Sequence, residues 1–239
     1  MRLTTWNCCA GPLERKLTAL RTLRSDIAVV PECPELPLGP RCHWLGENPR
    51  KGLAIVTRGS YTIAPVPLSR RLPRYVQPLE VSGPESFLLV AVWAMNVGRD
   101  RYVRGLHRAI DRLAGRIASR PTVIMGDFNA NTIWDREHPD PLCFSALAAK
   151  LGRLGLVSAY HAHRDEVHGA ESEATFYFYR HRHRPYHIDY CFIPREWLAR
   201  LERVSLGGHA KWARYSDHVP VTIVIRQASN PLPAGRARG

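Results

Sequence analysis

Short apolar runs alternate with helically spaced leucines from one end of this chain to the other, and that alternation leaves few architectures open. Residues 2–8 read as a strand, Leu13, Leu17, Leu20 and Leu23 share one face of a helix, and residues 26–30 return as a strand. Further strands are predicted at 52–57, 87–94, 122–125, 174–179, 188–193 and 219–225. Helices are predicted through Val103, Leu106, Ile110, Leu113 and Ile117, through Leu147, Leu151 and Leu154, and across 196–203, while 61–81 reads as a proline-punctuated connection. Strands interleaved with helices in this way imply an α/β layered domain. No internal repeat is present, so 1–226 is expected to form one domain, and the Pro-, Gly- and Arg-rich 227–239 a disordered tail.

Length and charge narrow the class. A chain of 239 residues can bury one large core or, less readily, two small ones. No apolar run reaches the roughly 18 to 20 residues that span a bilayer, and MRLTTWNCCAG lacks the apolar core of a signal peptide, so a cytoplasmic protein is expected. The six cysteines form no C-x-x-C pair, and reduced thiols are the expectation. With 34 Lys and Arg against 21 Asp and Glu, the net charge is +13 and mostly arginine. Forked guanidinium donors suit phosphate oxygens, which points to a polyanionic partner; a solvated basic face is the plainer alternative.

The polar residues stand where the predicted strands end. Asn7 closes the first and Glu32 follows the second; TVIMGDFNAN runs from a greasy strand into Asp127, Asn129 and Asn131; HIDYCFI carries Asp189; and Ser216, Asp217 and His218 precede the last. In an extended chain Asp127 and Asn129 project to the same side, although both residue types also end strands as ordinary turn formers. Neighbouring strand ends converge, so the coincidence predicts one concave site. Asp189 sits among apolar residues and needs a partner. His218 is the candidate, either as a working carboxylate–imidazole pair or as a tie between strands. Glu32, Asp127 and Asp217 are hard oxygen ligands suited to Mg2+. The HAH at 161–163 and HRH at 181–183 find no further partners at zinc spacing, and zinc is not expected. The P-loop and G-x-S-x-G patterns are both missing from the sequence.

The motifs TWN (5–7), PE (31–32), GLAIVTR (52–58), GDFN (126–129), HIDY (187–190) and SDH (216–218) stand in the order found in the endonuclease/exonuclease/phosphatase superfamily. The chain resembles that superfamily, which includes exonuclease III and DNase I-like enzymes, from about residue 2 to 226. The resemblance implies a four-layer α/β sandwich: two packed, mostly antiparallel β-sheets flanked by helices. It also implies a Mg2+-dependent phosphoesterase site at the sheet edges, with Mn2+ able to substitute. Carried over by motif, Glu32 binds the metal with Asp217 at or near it, and Asp127 orients and deprotonates the attacking water. Asn7 and Asn129 hold the site and the phosphate oxygens, and His218, held by Asp189, stabilises developing negative charge. Trp93 stands where many relatives place a His or Tyr, and indole is neither acid nor base. Asn96 resembles the amide that follows that position in abasic-site nucleases, while PECPE departs from their Q-E-x-K. Phe176 and Tyr186 resemble aromatics near a nucleotide pocket, with a place in the core or rim as the alternative.

Metal-assisted hydrolysis of nucleic-acid phosphodiesters, DNA before RNA, is the leading expectation. The basic stretches RRLPR (70–74) and RDRYVRGLHR (99–108) favour a polymer, although the second also reads as the wet face of an amphipathic helix. A phosphatase or phospholipase-like enzyme acting on a small phosphorylated metabolite or lipid head group would use the same chemistry. A non-catalytic nucleic-acid-binding domain is disfavoured by the full set of candidate groups. Oligomeric state is not legible.

Overall fold

The computed structural model describes residues 1–138 and 141–227, so the tail expected to be disordered falls almost wholly outside the described residues. The elements follow as β1 (Arg2–Thr5), α1 (Leu13–Leu23), β2 (Ile27–Cys33), β3 (Cys42–Asn48), β4 (Lys51–Thr57), β5 (Thr62–Pro65), β6 (Val76–Ser82) and β7 (Phe87–Trp93). Then come α2 (Val103–Ala118), β8 (Thr122–Asp127), α3 (Phe144–Arg153), β9 (Leu156–Ser158), α4 (Ala159–Arg164), β10 (Phe176–Tyr177) and β11 (Pro185–Tyr186). β12 (Asp189–Pro194), β13 (Leu201–Leu206), α5 (His209–Trp212) and β14 (Val221–Ile225) complete the chain.

The strands form two six-stranded sheets, ordered β13-β14-β1-β2-β4-β3 and β5-β6-β7-β8-β12-β9, beside a ribbon of β10 and β11. Neighbours are antiparallel except β1 with β2 and β7 with β8. Each parallel pair is joined through a helix, α1 or α2, as parallel pairing requires.

Side-chain alternation builds the layers. Leu3, Val29 and Ile55 of one sheet meet Leu89, Ala91 and Val123 of the other in a central core. Their strand neighbours point outward: Ala28 and Val30 receive Leu17 and Leu20 of α1, and Val90 and Ile124 receive Leu106, Ile110 and Leu113 of α2. Helix, sheet, sheet, helix is the result. Strands apolar on both faces read as unbroken hydrophobic runs, which is why β2, β7 and β8 are plain in the sequence.

Four segments differ from expectation. The 61–81 stretch contains β5 and β6, because its prolines occupy tolerated places: Pro65 ends β5, and Pro78 turns its carbonyl and its N–H-less nitrogen toward Val66, just past that end. β3 is a half-buried edge strand, so CHWLGEN lacks the apolar run of a central one. The helix expected across 196–203 is a 3-10 turn, Arg195–Arg200, leading into β13. Trp197 and Leu201 are spaced as on a helix, but LERVSL alternates and pairs with β14, and the cross-strand partner decides. The strand expected across 174–179 shrinks to β10, since the backbone turns left-handed at Tyr179 (φ 52°) and Arg180 (φ 62°).

Gly126 sits where β8 runs closest to β7. Its φ is 149°, and a Cβ there would lie 1.8 Å from the Val92 carbonyl oxygen. Gly126→Ala is expected to cost about 3 kcal/mol or more in urea unfolding; a loss below about 1 kcal/mol would show that this contact is not what holds the two strands together.

Candidate active site

Asp127 ends β8 and Asp189 begins β12, and the two are direct cross-strand partners. Both are fully buried. Like charges placed opposite one another destabilise a sheet, so the surroundings must answer them. His218 does so from the turn entering β14: its Nδ1 donates to Asp189 Oδ2 at 2.8 Å, and its Nε2 stands 4.0 Å from Asp127 Oδ2. Ser216 Oγ fixes that turn, donating to the Asn7 carbonyl at 2.7 Å and accepting from the His218 N–H at 2.9 Å.

Amides complete the cradle. Asn7 Nδ2 donates to Asp127 Oδ2 at 2.8 Å and reaches Glu32 Oε1 at 3.3 Å. The Asn129 backbone N–H donates to Asp127 Oδ1 at 2.9 Å, and its Nδ2 serves both Asp127 Oδ2 (3.1 Å) and the Ala94 carbonyl (3.0 Å). In this arrangement the amide hydrogens of Asn7 and Asn129 are committed to carboxylates and backbone. They aim Asp127.

Two backbone irregularities deliver the side chains. Glu32 has φ 57°, at the point where the β2/β4 register shifts between Pro31 and Cys33. Such a bulge re-aims one side chain, at a conformational cost of about 1 to 2 kcal/mol. Asn129 also lies left-handed, at φ 47°. Its approach to Asp127 is therefore made by a turn rather than by the extended alternation expected from sequence. Asn131 turns away altogether, donating to Glu171 Oε1, the His187 carbonyl and Tyr190 Oη.

Burial is the main force on the charges. It pushes the Asp127 carboxyl up, with the Asp189 charge adding to it and His218 and Asn7 opposing, to about 7. Burial alone would depress the His218 imidazolium, but the Asp189 carboxylate bonded to it and the nearby Asp127 raise it to about 10. A carboxyl that titrates near neutrality thus faces a positively charged imidazolium.

The other sequence candidates lie around this centre. Asp217 is half-buried, and together with Glu32 it adds to the burial that raises the Cys9 thiol, so both carboxylates act on one point. Trp93 is 2% exposed, packed on Tyr75 in the central core with its ring face toward Lys51. Asn96 is exposed and accepts from Arg101 Nε at 2.7 Å. Phe176 packs on the His218 ring with centroids 4.6 Å apart, and Tyr186 stacks beyond it. These two open onto a cleft of about 490 Å³, also lined by Asn129, Trp134, Phe178 and Arg104.

Lys51 is a site residue that motif reasoning passed over. Its Nζ lies 3.1 Å from Glu32 Oε2, and the signal was its place immediately before GLAIVT, the strand that pairs with the Glu32 bulge. The basic stretches divide. Arg108 pairs with Asp100 and Arg74 with Glu47, and the Arg71 carbonyl is held by Arg112, further along α2. Arg101 and Arg104 line the cleft.

The donors suit a hard cation. Asp127 and Asp189 set their carboxylates side by side, and Asp189 Oδ1 is buried without a hydrogen-bond partner, while His218, positively charged and bonded to Asp189, stands beside the set and is not a ligand. An oxygen-rich set with an orphaned carboxylate oxygen, next to a Glu32 held in costly backbone, fits a divalent ion.

A family model described as Endonuclease/Exonuclease/phosphatase family matches residues 4–218. The chain belongs to that family. It is accordingly a phosphoric ester hydrolase. Among curated proteins, no sequence matches it. Among solved structures it is similar to the 3′ phosphatase NExo from Neisseria bound to product DNA hairpin, at 22% identity and TM-score 0.69, covering 95% of this chain and 99% of that one. It is also similar to an AP endonuclease from Archaeoglobus fulgidus, at 18% identity and TM-score 0.67 over 94% and 99% of the two chains. The endonuclease domain of TRAS1, a telomere-specific non-LTR retrotransposon, aligns at 16% identity and TM-score 0.67 over 95% and 98%. At such identities the likeness is one of fold. Among the described residues, no helix of this family member is long and apolar enough to cross a membrane.

The raised Asp127 carboxyl has a consequence for stability. A carboxyl held at about 7 when folded and near 4 when unfolded favours the native state at low pH, and loses that contribution as pH climbs toward 7. Asp127→Asn removes the titration. Its stability relative to the wild type is expected to rise by up to about 1.4 kcal/mol per pH unit between pH 5 and 7; a difference that stays flat across that range in denaturant melts would refute the assignment.

Proposed function

We propose that the protein is a Mg2+-dependent phosphodiesterase that hydrolyses nucleic-acid phosphodiester bonds, DNA being the favoured polymer, by in-line attack of water. The observation that carries this reading is the buried Asp127–Asp189–His218 cluster, with Asn7, Asn129 and Glu32 around it, at the side of an aromatic and arginine-lined cleft. Residues 1–226 are taken as one domain, and the protein as cytoplasmic, in keeping with six cysteines that are all free thiols.

In this reading Asp127 orients a water and takes its proton, supported by its burial and by the hydrogen bonds from Asn7 and Asn129. His218, its Nδ1 occupied by Asp189, keeps Nε2 for an oxygen on which negative charge develops. Glu32 and Asp217 would hold the metal, with Lys51 balancing Glu32 until it binds. A bound Mg2+ supplies positive charge against the phosphoryl oxygens. Phe176 and Tyr186 offer ring faces for a base or sugar beside the scissile bond, and Arg104 a fork for a neighbouring phosphate. Trp93, buried, supports the Lys51 ammonium rather than reaching substrate.

A second reading, hydrolysis of a phosphomonoester, is favoured by the size of the cleft, which suits one nucleotide unit better than a continuous duplex. The NExo structure carries the description 3′ phosphatase. The test is a panel of duplex, single-stranded, abasic and 3′-phosphorylated DNA, RNA, and small phosphate esters, each with Mg2+ and with EDTA. Cleavage of a DNA backbone that stops with EDTA is expected; turnover of small esters alone would replace the nuclease reading. Binding should also weaken as salt rises, and Arg104→Ala should lower the salt slope by about 1. An unchanged slope would remove Arg104 from the phosphate path.

A further inference from the structure

A second polar cluster lies beyond Asn131, and the catalytic centre does not use it. His161 of α4 and two residues of the following loop, His168 and Glu171, each present a ligand atom within 4.8 Å of the others. His161 Nε2 is 3.1 Å from Glu171 Oε1, and its Nδ1 is 2.7 Å from Ser158 Oγ. The His168 ring stacks on the His161 ring with centroids 3.6 Å apart.

One ring nitrogen in this cluster and one beside it lack partners. His168 Nδ1 and His187 Nε2 are two of the five buried side-chain atoms without a hydrogen bond among the described residues. Buried polar atoms are paired in roughly nine cases out of ten, so two orphans within one group of rings point to something that accepts a lone pair. His187 Nδ1 must donate to the Glu173 carbonyl at 2.9 Å, which leaves its Nε2 bare. Glu171 accepts from the Gly169 N–H at 3.0 Å, so its carboxylate is already turned toward the cluster.

We propose that His161, His168 and Glu171 form a binding site for a zinc-class transition-metal ion, separate from the catalytic cation and structural in role. Two imidazole nitrogens with one carboxylate suit zinc and not magnesium, which prefers oxygen. Ligands about 2.0 to 2.1 Å from one ion stand roughly 3.4 Å apart, so the group contracts on binding, and His168, carried by a loop, is free to make that movement. Ser158 holds His161 with Nε2 turned to the ion, the usual task of a supporting residue. Glu171 also accepts from Asn131 Nδ2 at 3.0 Å. The ion therefore pins the loop against the segment that leaves Asp127 and Asn129. The sequence was weighed for zinc at HAH and HRH spacing alone, and in this proposal loop residues brought in by folding supply ligands that no fixed spacing announces.

The test reads metal and not catalysis, so it stands apart from the nuclease reading. Chelator-treated full-length protein is titrated with Zn2+, and separately with Co2+, in excess Mg2+. One Zn2+ per chain is expected for wild type and for Asp127→Asn alike, together with the visible absorption of low-coordinate Co2+. Ser158→Ala should weaken binding by roughly 10- to 100-fold, and His168→Ala by more. His168→Gln, near in shape and checked for folding by circular dichroism, should lose the ion while staying folded. Wild-type protein that takes up no stoichiometric Zn2+ would overturn the proposal, as would affinity untouched by His168→Gln or lost in Asp127→Asn.

Discussion

Two carboxylates, Asp127 and Asp189, face each other across neighbouring strands, both shut off from solvent, and the fold is organised around keeping them there. In a low-dielectric interior neither could stay charged alone. Each is met by a group from the opposite sheet. Asn7, just past β1, donates to Asp127, and His218, just before β14, donates to Asp189. The polar cluster thus ties the two sheets at one edge while the apolar core between them does so elsewhere. Stability is given up here for chemistry, a common trade at functional sites.

Side-chain direction at the site depends on short departures from regular backbone. A bulge at Glu32 and a left-handed turn at Asn129 each rotate one residue out of the pleat and into the cluster. Rigid strands stand immediately behind both, which is what lets a strained position hold its aim. The run from Asp127 to Asn131 then divides its polar side chains: Asn129 bonds Asp127 within the Asp127–Asp189–His218 cluster, and Asn131 bonds Glu171 of the His161–Glu171 cluster. Any force on the second cluster is felt within a few residues of the first.

The central strands and main helices could be read directly from the chain, because a segment buried on both faces has to be apolar throughout and an amphipathic helix has to repeat every three to four residues. β3, β5, β6 and β13 were hidden, since edge and proline-bearing strands take their identity from neighbours rather than from their own composition. At the site, Asn7, Glu32, Asp127, Asn129, Asp189 and His218 were all legible as polar residues at strand ends. Lys51 was not, being one basic residue among many until the Glu32 bulge is seen beside it.

By itself, the sequence determined which residue types were available, in which order, and that polar groups would gather at the ends of buried strands; apolar periodicity and motif order are local properties and survive in one dimension. Tertiary structure alone decided which arginines face the cleft and which hold the molecule together, how Asn129 reaches Asp127, and that His161 meets His168 and Glu171. Those outcomes depend on distances between segments far apart in the chain, and such distances are set by how the sheets and loops pack.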